Sequence, residues 1–228
     1  MLSKAEQKFT GIFAVIVIIE LLCGSFADFA ALHYFTKPLI IVSLLLFFYT
    51  RNHRLDPTIK KLMILALVFS LIGDVALLFD TINPVYFIIG LGSFLLAHGM
   101  YVIVFLKQRN PQKSPLGFMA LMLVYAAFLF YILKDGLGEL LLPVIVYMMV
   151  ILSMSTTAFL RQKQNNSKSY NWVFIGAILF MISDSILAID KFYQPLELSS
   201  IGIMLTYALA QYCIVIGILK YDSISLLK

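Results

Sequence analysis

The sequence is poor in charged residues and in the side chains that usually bind metals or form disulfides. Only 13% of its 228 residues are charged, against 61% that are hydrophobic, a balance too apolar for a water-soluble domain of this length. The two cysteines, Cys23 and Cys213, lie in different apolar runs, at a spacing that fits neither a zinc site nor a disulfide framework. With three histidines in all, two of them at span ends or in loops, a three-histidine catalytic zinc site is excluded. The composition therefore predicts a chain embedded in a lipid bilayer.

Several motifs of soluble enzymes are also missing. The sequence has no Gly-x-Ser-x-Gly elbow, no His-Glu-x-x-His and no phosphate-binding glycine loop, which excludes the usual serine-hydrolase, zinc-protease and nucleotide-binding interpretations. The net charge of +5 comes from lysines and arginines in short gaps between apolar runs. Because nucleic-acid binding needs a basic face with stacking aromatics, we expect no nucleic-acid partner.

Eight apolar segments are long enough to cross about 30 Å of hydrocarbon. The second must begin near Ala30, because the apolar run that starts at Pro38 is too short to cross by itself. The pattern predicts an all-α membrane protein with eight transmembrane helices in a single domain over residues 1–228. The predicted spans are Phe9–Gly24, Ala30–Tyr49, Leu62–Phe79, Val85–Leu106, Leu116–Leu133, Leu140–Leu160, Trp172–Ile189 and Leu198–Leu219.

The basic residues are distributed unequally between the two faces that eight spans would create. Of the 17 lysines and arginines, all but three fall on the face that carries both termini, and the three exceptions are Lys37, Lys134 and Lys191. Because cytoplasmic loops carry the excess of lysine and arginine, this predicts cytoplasmic termini. We expect a multi-pass integral membrane protein of a bacterial inner membrane, surrounded by membrane lipids.

Two stretches of the sequence are related by a constant offset. Residues 71–80 and 181–190 share Ile, Asp, Leu and Asp at an offset of 110, and span four resembles span eight at an offset of 113. Four spans per half would give two halves that run in the same direction, about 1–110 and 111–228. The sequence therefore predicts a parallel 4+4 repeat, with Asp74 and Asp184 as equivalent residues.

Asp74 and Asp184 are the ionisable residues that the bilayer tolerates least. A charged group deep in a span costs on the order of 3 kcal/mol, so it normally faces the bundle interior and marks a site or a pathway. His98 lies in span four with Tyr101 on the same helical face, and Tyr207 and Gln211 form a second polar stripe in span eight. The simplest alternative is structural: each carboxylate could bond to serine or backbone across helices, with Ser70 or Ser183 as partner. Tyr207 and Gln211 could likewise serve only as hydrogen-bonding residues between helices.

Lys37 and Glu20 lie near the outer ends of spans, and each allows more than one role. Lys37 could extend to the lipid headgroups, neutralise a buried aspartate, or bind a substrate phosphate. Glu20 has the same ambiguity. The other acidic residues at span ends, namely Asp80, Asp190, Glu139 and Glu197, are expected to be solvated.

Taken in order, five short motifs resemble the YhhN-type lysoplasmalogenase family over nearly the whole chain. They are Lys37-Pro38-Leu39, Gly73-Asp74-Val75, Ala97-His98 with Tyr101, the block from Gly176-Ala177 through Phe180 to Ser183-Asp184, and Tyr207-Ala208 with Gln211. The resemblance implies an integral membrane hydrolase that cleaves the vinyl-ether bond of lysoplasmalogens to a fatty aldehyde and a glycerophospho-base. Its substrate would be a lysophospholipid, and no metal or cofactor is expected.

Vinyl-ether hydrolysis requires an acid and a base, which two carboxyl groups in a poorly solvated pocket can supply. We therefore expect Asp74, Asp184 and His98 to be catalytic. The residues expected to bind the substrate are Lys37, Tyr101, Ser183, Tyr207 and Gln211.

Two other functions fit the same residues. One is a proton-coupled transporter of a small molecule or lipid, for which intramembrane acids and internal repeats are equally natural. The other is a hydrolase of a different lipid bond that uses a metal held by Asp74, His98 and Asp184.

Overall fold

The computed structural model describes residues 3–162 and 167–221, and in these residues the regular secondary structure is entirely helical. Each of the eight predicted spans corresponds to one α-helix, with short 3₁₀ turns at Ala27–Phe29, Asn52–Arg54 and Gly138–Leu140. The helices are α1 (Lys4–Ser25), α2 (Ala30–Arg51), α3 (Pro57–Leu77), α4 (Pro84–Lys107), α5 (Leu116–Leu133), α6 (Leu141–Leu160), α7 (Ser167–Phe192) and α8 (Ser199–Leu219). The prediction of an all-helical protein is confirmed.

Seven of these helices are long and apolar enough to cross a membrane. The exception is α3, which has 21 residues but carries Lys60 and Lys61 near its start and Asp74 near its end. The uncharged stretch between them is shorter than the hydrocarbon thickness. Composition and length thus confirm a multi-pass membrane protein with seven candidate spans among the described residues.

Side-chain caps determine where several helices begin. The Ser3 hydroxyl accepts a hydrogen bond from the Glu6 backbone N–H, and the Glu6 carboxylate accepts one from Ser3 in return, which forms a capping box at α1. At α3 the Asp56 carboxylate accepts hydrogen bonds from the backbone N–H groups of Thr58 at 2.8 Å and Ile59 at 3.3 Å. These bonds, that from Thr58 above all, hold the pKa of the Asp56 carboxyl below its ordinary value.

The second helix runs through its proline without a break. α2 begins at Ala30, as expected, and continues past Pro38 to Arg51. Lys37 consequently lies within the helix, two turns from its outer end, with its side chain half-buried.

Two helix pairs, α3 with α4 and α7 with α8, pack most closely. Glycines allow the close approach: a Cβ on Gly176 would lie 2.8 Å from the Ala210 carbonyl oxygen, and one on Gly73 would lie 2.6 Å from the Phe94 ring. α4 also packs against α6, and α8 against α1 and α2, whereas α5 contacts only α6 and α7 substantially. Among the candidate spans, α8 is the most deeply buried, and α4 and α6 follow.

A buried arginine joins four helices at the end of the bundle that carries the termini. Arg161, which we expected in a solvated loop, is completely buried. Its Nε donates to Gln108 Oε1 at 2.9 Å and its Nη2 to Ser169 Oγ at 3.0 Å, while Ser169 Oγ donates to the Gly217 carbonyl at 2.7 Å. The correction has a simple cause: the ends of α4, α6, α7 and α8 converge there, and the guanidinium satisfies their polar groups.

We predict that Gly176→Ala lowers the free energy of unfolding by about 1–3 kcal/mol, because the new methyl group would press on a backbone oxygen that cannot move aside. Gly92→Ala is the matched control, since a Cβ there meets no atom within 4 Å and alanine favours the helix. Thermal unfolding of the purified protein in detergent measures both. Equal melting temperatures for the two variants would contradict the close α7–α8 contact.

Candidate active site

The Asp74 carboxylate is buried between α3 and α8. The Tyr207 hydroxyl donates a hydrogen bond to Asp74 Oδ2 at 2.8 Å. Two rings stand edge-on to the Tyr207 ring, those of Phe94 at 5.8 Å and Phe180 at 5.4 Å between centroids. Lys37 and Glu20 lie close enough to interact electrostatically with the Asp74 carboxylate. The structure thus brings Asp74, Tyr207 and Lys37 into one neighbourhood.

Asp184 lies in a second neighbourhood, formed by α4, α6 and α7. The Tyr147 hydroxyl donates to Asp184 Oδ2 at 2.6 Å, and His98 Nε2 lies 3.8 Å from the same oxygen. His98 is completely buried, with its ring edge-on to those of Phe180 and Tyr147. Within the described residues, neither imidazole nitrogen of His98 makes a hydrogen bond.

Tyr147 was missed by the sequence analysis. It is one aromatic residue among many in an apolar run, and nothing about its own position signals a polar contact. The internal repeat offers the one signal that could have found it, because an offset of 110 relates Tyr147 to Lys37. Lys37 lies in α2, the helix before the one that carries Asp74, and Tyr147 lies in α6, the helix before the one that carries Asp184.

Three residues that we expected to bind the substrate form hydrogen bonds between helices instead. The Tyr101 hydroxyl donates to Gln211 Oε1 at 2.6 Å, and Gln211 Nε2 donates to Ser70 Oγ at 2.9 Å, which joins α4, α8 and α3. Ser183 Oγ donates to the Ile203 carbonyl at 2.9 Å, which joins α7 to α8. These contacts match the structural alternative for Gln211, whereas Ser183 bonds a backbone carbonyl and not an aspartate.

A polar cavity of about 170 Å³ lies at the bundle end opposite the termini. Three ionisable residues meet in its wall: Lys37, which we expected to bind the substrate, Glu20, whose role the sequence left open, and His33. The residues that line this polar cavity are Glu20, Leu21, Gly24, Ser25, His33, Lys37, Leu77, Asp80, Leu187, Ser200, Ile201, Ile203 and Met204.

A smaller apolar cavity of about 40 Å³ adjoins it. Asp184 and Tyr147 contribute the polar atoms of its wall. Leu77 and Leu187 line both cavities, and we call this pair the leucine partition. The residues that line the apolar cavity are Leu77, Phe87, Leu91, Phe94, Val144, Tyr147, Asp184, Leu187, Ala188 and Phe192.

Each aspartate lies one helical turn below one leucine of the partition. Leu77 follows Asp74 by three residues in α3, and Leu187 follows Asp184 by three residues in α7, so each pair shares a helix face. The two carboxylates nevertheless bond to different tyrosines. Asp184 lines the apolar cavity, whereas Asp74 lines neither cavity, so the single cavity shared by both aspartates that we expected is not seen among the described residues.

An ion pair lies on the outer side of the leucine partition. Lys191 Nζ lies 3.0 Å from Asp80 Oδ2, so that α7 is tied to the turn that follows α3. Asp80, expected to be solvated, is half-buried and paired. Asp190, also expected to be solvated, accepts a hydrogen bond from the Leu196 backbone N–H at 2.8 Å.

A metal-dependent hydrolase would need a cluster of metal ligands, and residues 3–162 and 167–221 contain none. No group of three His, Cys, Asp or Glu side chains in that part of the chain is arranged to hold a metal ion. The rings of Phe94 and Phe180 pack against Tyr207, the partner of Asp74, and Phe180 also packs against His98, the neighbour of Asp184.

A sequence profile of the YhhN family matches residues 32–218. The chain belongs to the YhhN family. The family resemblance that the motifs indicated is thereby confirmed, and the match covers α2 to α8 of this YhhN protein. No solved structure matches the chain.

Curated relatives of this YhhN protein are named as lysoplasmalogenases. Human Lysoplasmalogenase TMEM86B is 34% identical over 158 residues, which cover 68% of this chain and 62% of the relative. The Lysoplasmalogenase of Mycobacterium bovis is 32% identical over 136 residues, which cover 58% of this chain and 50% of the relative. Bovine Lysoplasmalogenase TMEM86A is 32% identical over 158 residues, which cover 66% of this chain and 62% of the relative. The matched part of the chain thus spans between half and two thirds of these relatives' own length.

Because the two carboxylates bond to separate tyrosines, we predict that Tyr147→Phe and Tyr207→Phe act independently on stability. Each variant removes one donor from a buried carboxylate and should cost about 1–3 kcal/mol of unfolding free energy. In a double-mutant cycle, the coupling energy should be below about 0.5 kcal/mol. A coupling above about 1 kcal/mol, measured by reversible unfolding in detergent, would mean that the two neighbourhoods form one unit.

Proposed function

We propose that this YhhN protein is an intramembrane hydrolase that cleaves the vinyl-ether bond of lysoplasmalogen-type lysolipids. The observation that carries the proposal is the position of the two aspartates below the partition between a polar and an apolar cavity. The names of its relatives support the same reaction.

A lysolipid matches the two cavities in polarity, and the apolar cavity of about 40 Å³ would take the first part of its chain. It has one polar head and one hydrocarbon chain, and the vinyl-ether bond lies between them. With the headgroup in the polar cavity and the chain among Phe87, Leu91 and Val144 of the apolar cavity, the reactive bond would lie between Leu77 and Leu187. Asp74 and Asp184 would then face it from two helices, one turn deeper.

The reaction needs a proton donor and a group that activates water. The acid protonates the β-carbon of the vinyl ether, which gives an oxocarbenium ion. Water adds to this ion as the base accepts its proton, and the resulting hemiacetal collapses to the fatty aldehyde and the glycerol hydroxyl. One carboxyl of the pair would start the cycle protonated and the other ionised. In the collapse of the hemiacetal their roles would reverse: the first would accept the proton of the hemiacetal hydroxyl and the second would donate its proton to the glycerol oxygen, so that each ends the cycle in its initial state.

The remaining site residues have roles that follow from their contacts. Neither ring nitrogen of His98 makes a hydrogen bond within the described residues, and Nε2 lies 3.8 Å from Asp184 Oδ2. His98 would therefore hold the attacking water or orient the carboxyl. Lys37 would bind the substrate phosphate, and Tyr207 would orient Asp74. Tyr101, Gln211 and Ser183 would keep α3, α4, α7 and α8 in register through their interhelical bonds, rather than bind glycerol oxygens directly.

We also propose that all eight helices cross the membrane, as two parallel halves of one domain with cytoplasmic termini. The two closest helix pairs, α3–α4 and α7–α8, would be equivalent in such a repeat. The contact of Gly73 with Gly90 would correspond to that of Ser183 with Ile203, at offsets of 110 and 113. In a bacterial inner membrane, the polar cavity would open to the outer leaflet.

We predict that Asp74→Asn and Asp184→Asn each slow aldehyde release at least about 10²-fold, because the amide keeps the shape of the carboxyl but cannot exchange its proton. The rate is measured by mass spectrometry of the aldehyde, with purified protein and an alkenyl lysolipid in detergent. Asp135→Asn, at an exposed carboxylate after α5, is the matched control and should keep the wild-type rate.

Near-wild-type release from either site variant would contradict the two-carboxyl mechanism. The detergent also separates the enzyme from a transporter, because a transporter has no measurable function without a sealed compartment. Absence of aldehyde from the wild-type protein would contradict the proposed hydrolase itself.

A further inference from the structure

We propose that the polar cavity selects lysolipids whose headgroup ends in a primary ammonium, such as ethanolamine, over those that end in a quaternary ammonium, such as choline. Glu20 is the residue that makes this selection. The inference rests on the proposed function, and it names the headgroup class of the same site. Glu20 belongs to α1, before the residues that match the family profile, so the inference concerns this chain and not the family.

Glu20 is a completely buried carboxylate in the wall of the polar cavity. Its Oε2 accepts a hydrogen bond from the Thr36 hydroxyl, whereas its Oε1 has no hydrogen bond within the described residues. His33 Nδ1 lies 3.0 Å from Oε1, which gives an ion pair only when the imidazole is protonated. A buried carboxylate oxygen without a donor is costly, so a ligand that donates a hydrogen bond there would be favoured.

Gly24 packs beside this carboxylate in the wall of the polar cavity. A Cβ at position 24 would lie 3.3 Å from His33 Nδ1 and 3.9 Å from Glu20 Oε1. A side chain there would therefore press on the Glu20–His33 pair, and glycine avoids this contact.

The charges of the polar cavity match a zwitterionic headgroup. Among the described residues, Lys37 has no carboxylate within 4.0 Å, so its ammonium is available to a phosphate. Asp80, the other acidic residue of the wall, is already paired with Lys191. Glu20 faces only the His33 imidazole, which carries a full charge only when protonated, and it is consequently the carboxylate of this wall that has no lysine or arginine partner among the described residues.

The composition of the wall favours a primary ammonium. A primary ammonium has three N–H donors, one of which could satisfy Glu20 Oε1. A quaternary ammonium has none and is usually recognised by the faces of aromatic rings, yet the described residues that line the polar cavity include no Phe, Tyr or Trp. Choline would therefore leave Oε1 without a donor and would gain no aromatic contact.

The test is a binding measurement with 1-O-alkyl lysolipids, whose saturated ether is not a substrate. The headgroups are ethanolamine, its mono- and dimethyl derivatives, and choline, titrated calorimetrically into the full-length protein in detergent. We expect ethanolamine to bind the wild type at least about tenfold more tightly than choline, the value of one hydrogen bond to a charged group. Affinity should fall stepwise as methyl groups replace the N–H donors.

Glu20→Gln keeps the size of the side chain and removes its charge, and it should reduce the ethanolamine preference to within about twofold. Glu139→Gln, at an exposed carboxylate, is the control and should retain the full preference. Equal binding of ethanolamine and choline by the wild type would overturn the inference, and so would an unchanged preference in a folded Glu20→Gln variant.

The methylation series on the wild type decides the selectivity even if Glu20→Gln does not fold. Because binding requires no turnover, a lack of aldehyde from the corresponding alkenyl lipids would count against the proposed function alone. The two failures are thereby distinguishable.

Discussion

A carboxyl group inside a bilayer needs a hydrogen-bond donor from another helix, and this constraint organises the centre of the bundle. Asp74 receives its donor from Tyr207 in α8, and Asp184 receives its donor from Tyr147 in α6. Each bond fixes the rotation of two helices at once, because a polar atom that turned towards lipid would lose its partner at a cost of several kcal/mol. The glycine contacts join other helix pairs, α3 with α4 and α7 with α8, so each helix that carries an aspartate is fixed against two neighbours.

The same arrangement sets the geometry of the candidate site. Helix periodicity places Leu77 and Leu187 one turn above the two aspartates, where they separate a polar cavity from an apolar one. The Asp80–Lys191 ion pair holds α3 and α7 together outside this partition. A head-and-chain lipid would consequently meet the two carboxyls only where the leucines move apart.

Much of the fold could be predicted from the sequence, because hydrocarbon thickness imposes a length on every span. The predicted bounds of α5, Leu116–Leu133, are those of the structure, and the start of α2 at Ala30 followed from length alone. Asp74, Asp184, His98 and Tyr207 could be selected as site candidates because polar groups are costly in a span. The YhhN resemblance came from the order of short motifs and not from any one of them.

Other features depend on helix rotation and packing, which hydropathy does not encode. Tyr147 could not be distinguished from the other aromatic residues of an apolar helix, and Arg161 was counted with the solvated loop cations although it is buried. Hydropathy also gave no sign that Phe94 and Phe180 would pack against Tyr207, or that Tyr101 and Gln211 would bond to each other. These contacts form only when the helices are packed together in the folded bundle.

The central claim is that the lysolipid reaches both carboxyls by passing between Leu77 and Leu187. The most direct test is the rate of aldehyde release by a folded Leu187→Trp variant, with Ile182→Trp, on the exposed face of α7, as the control. A bulky ring in the partition should lower the rate at least about 10²-fold, whereas the control should stay within about twofold of the wild type. A wild-type rate in Leu187→Trp would contradict the claim, because the reactive bond would then reach the aspartates by another route.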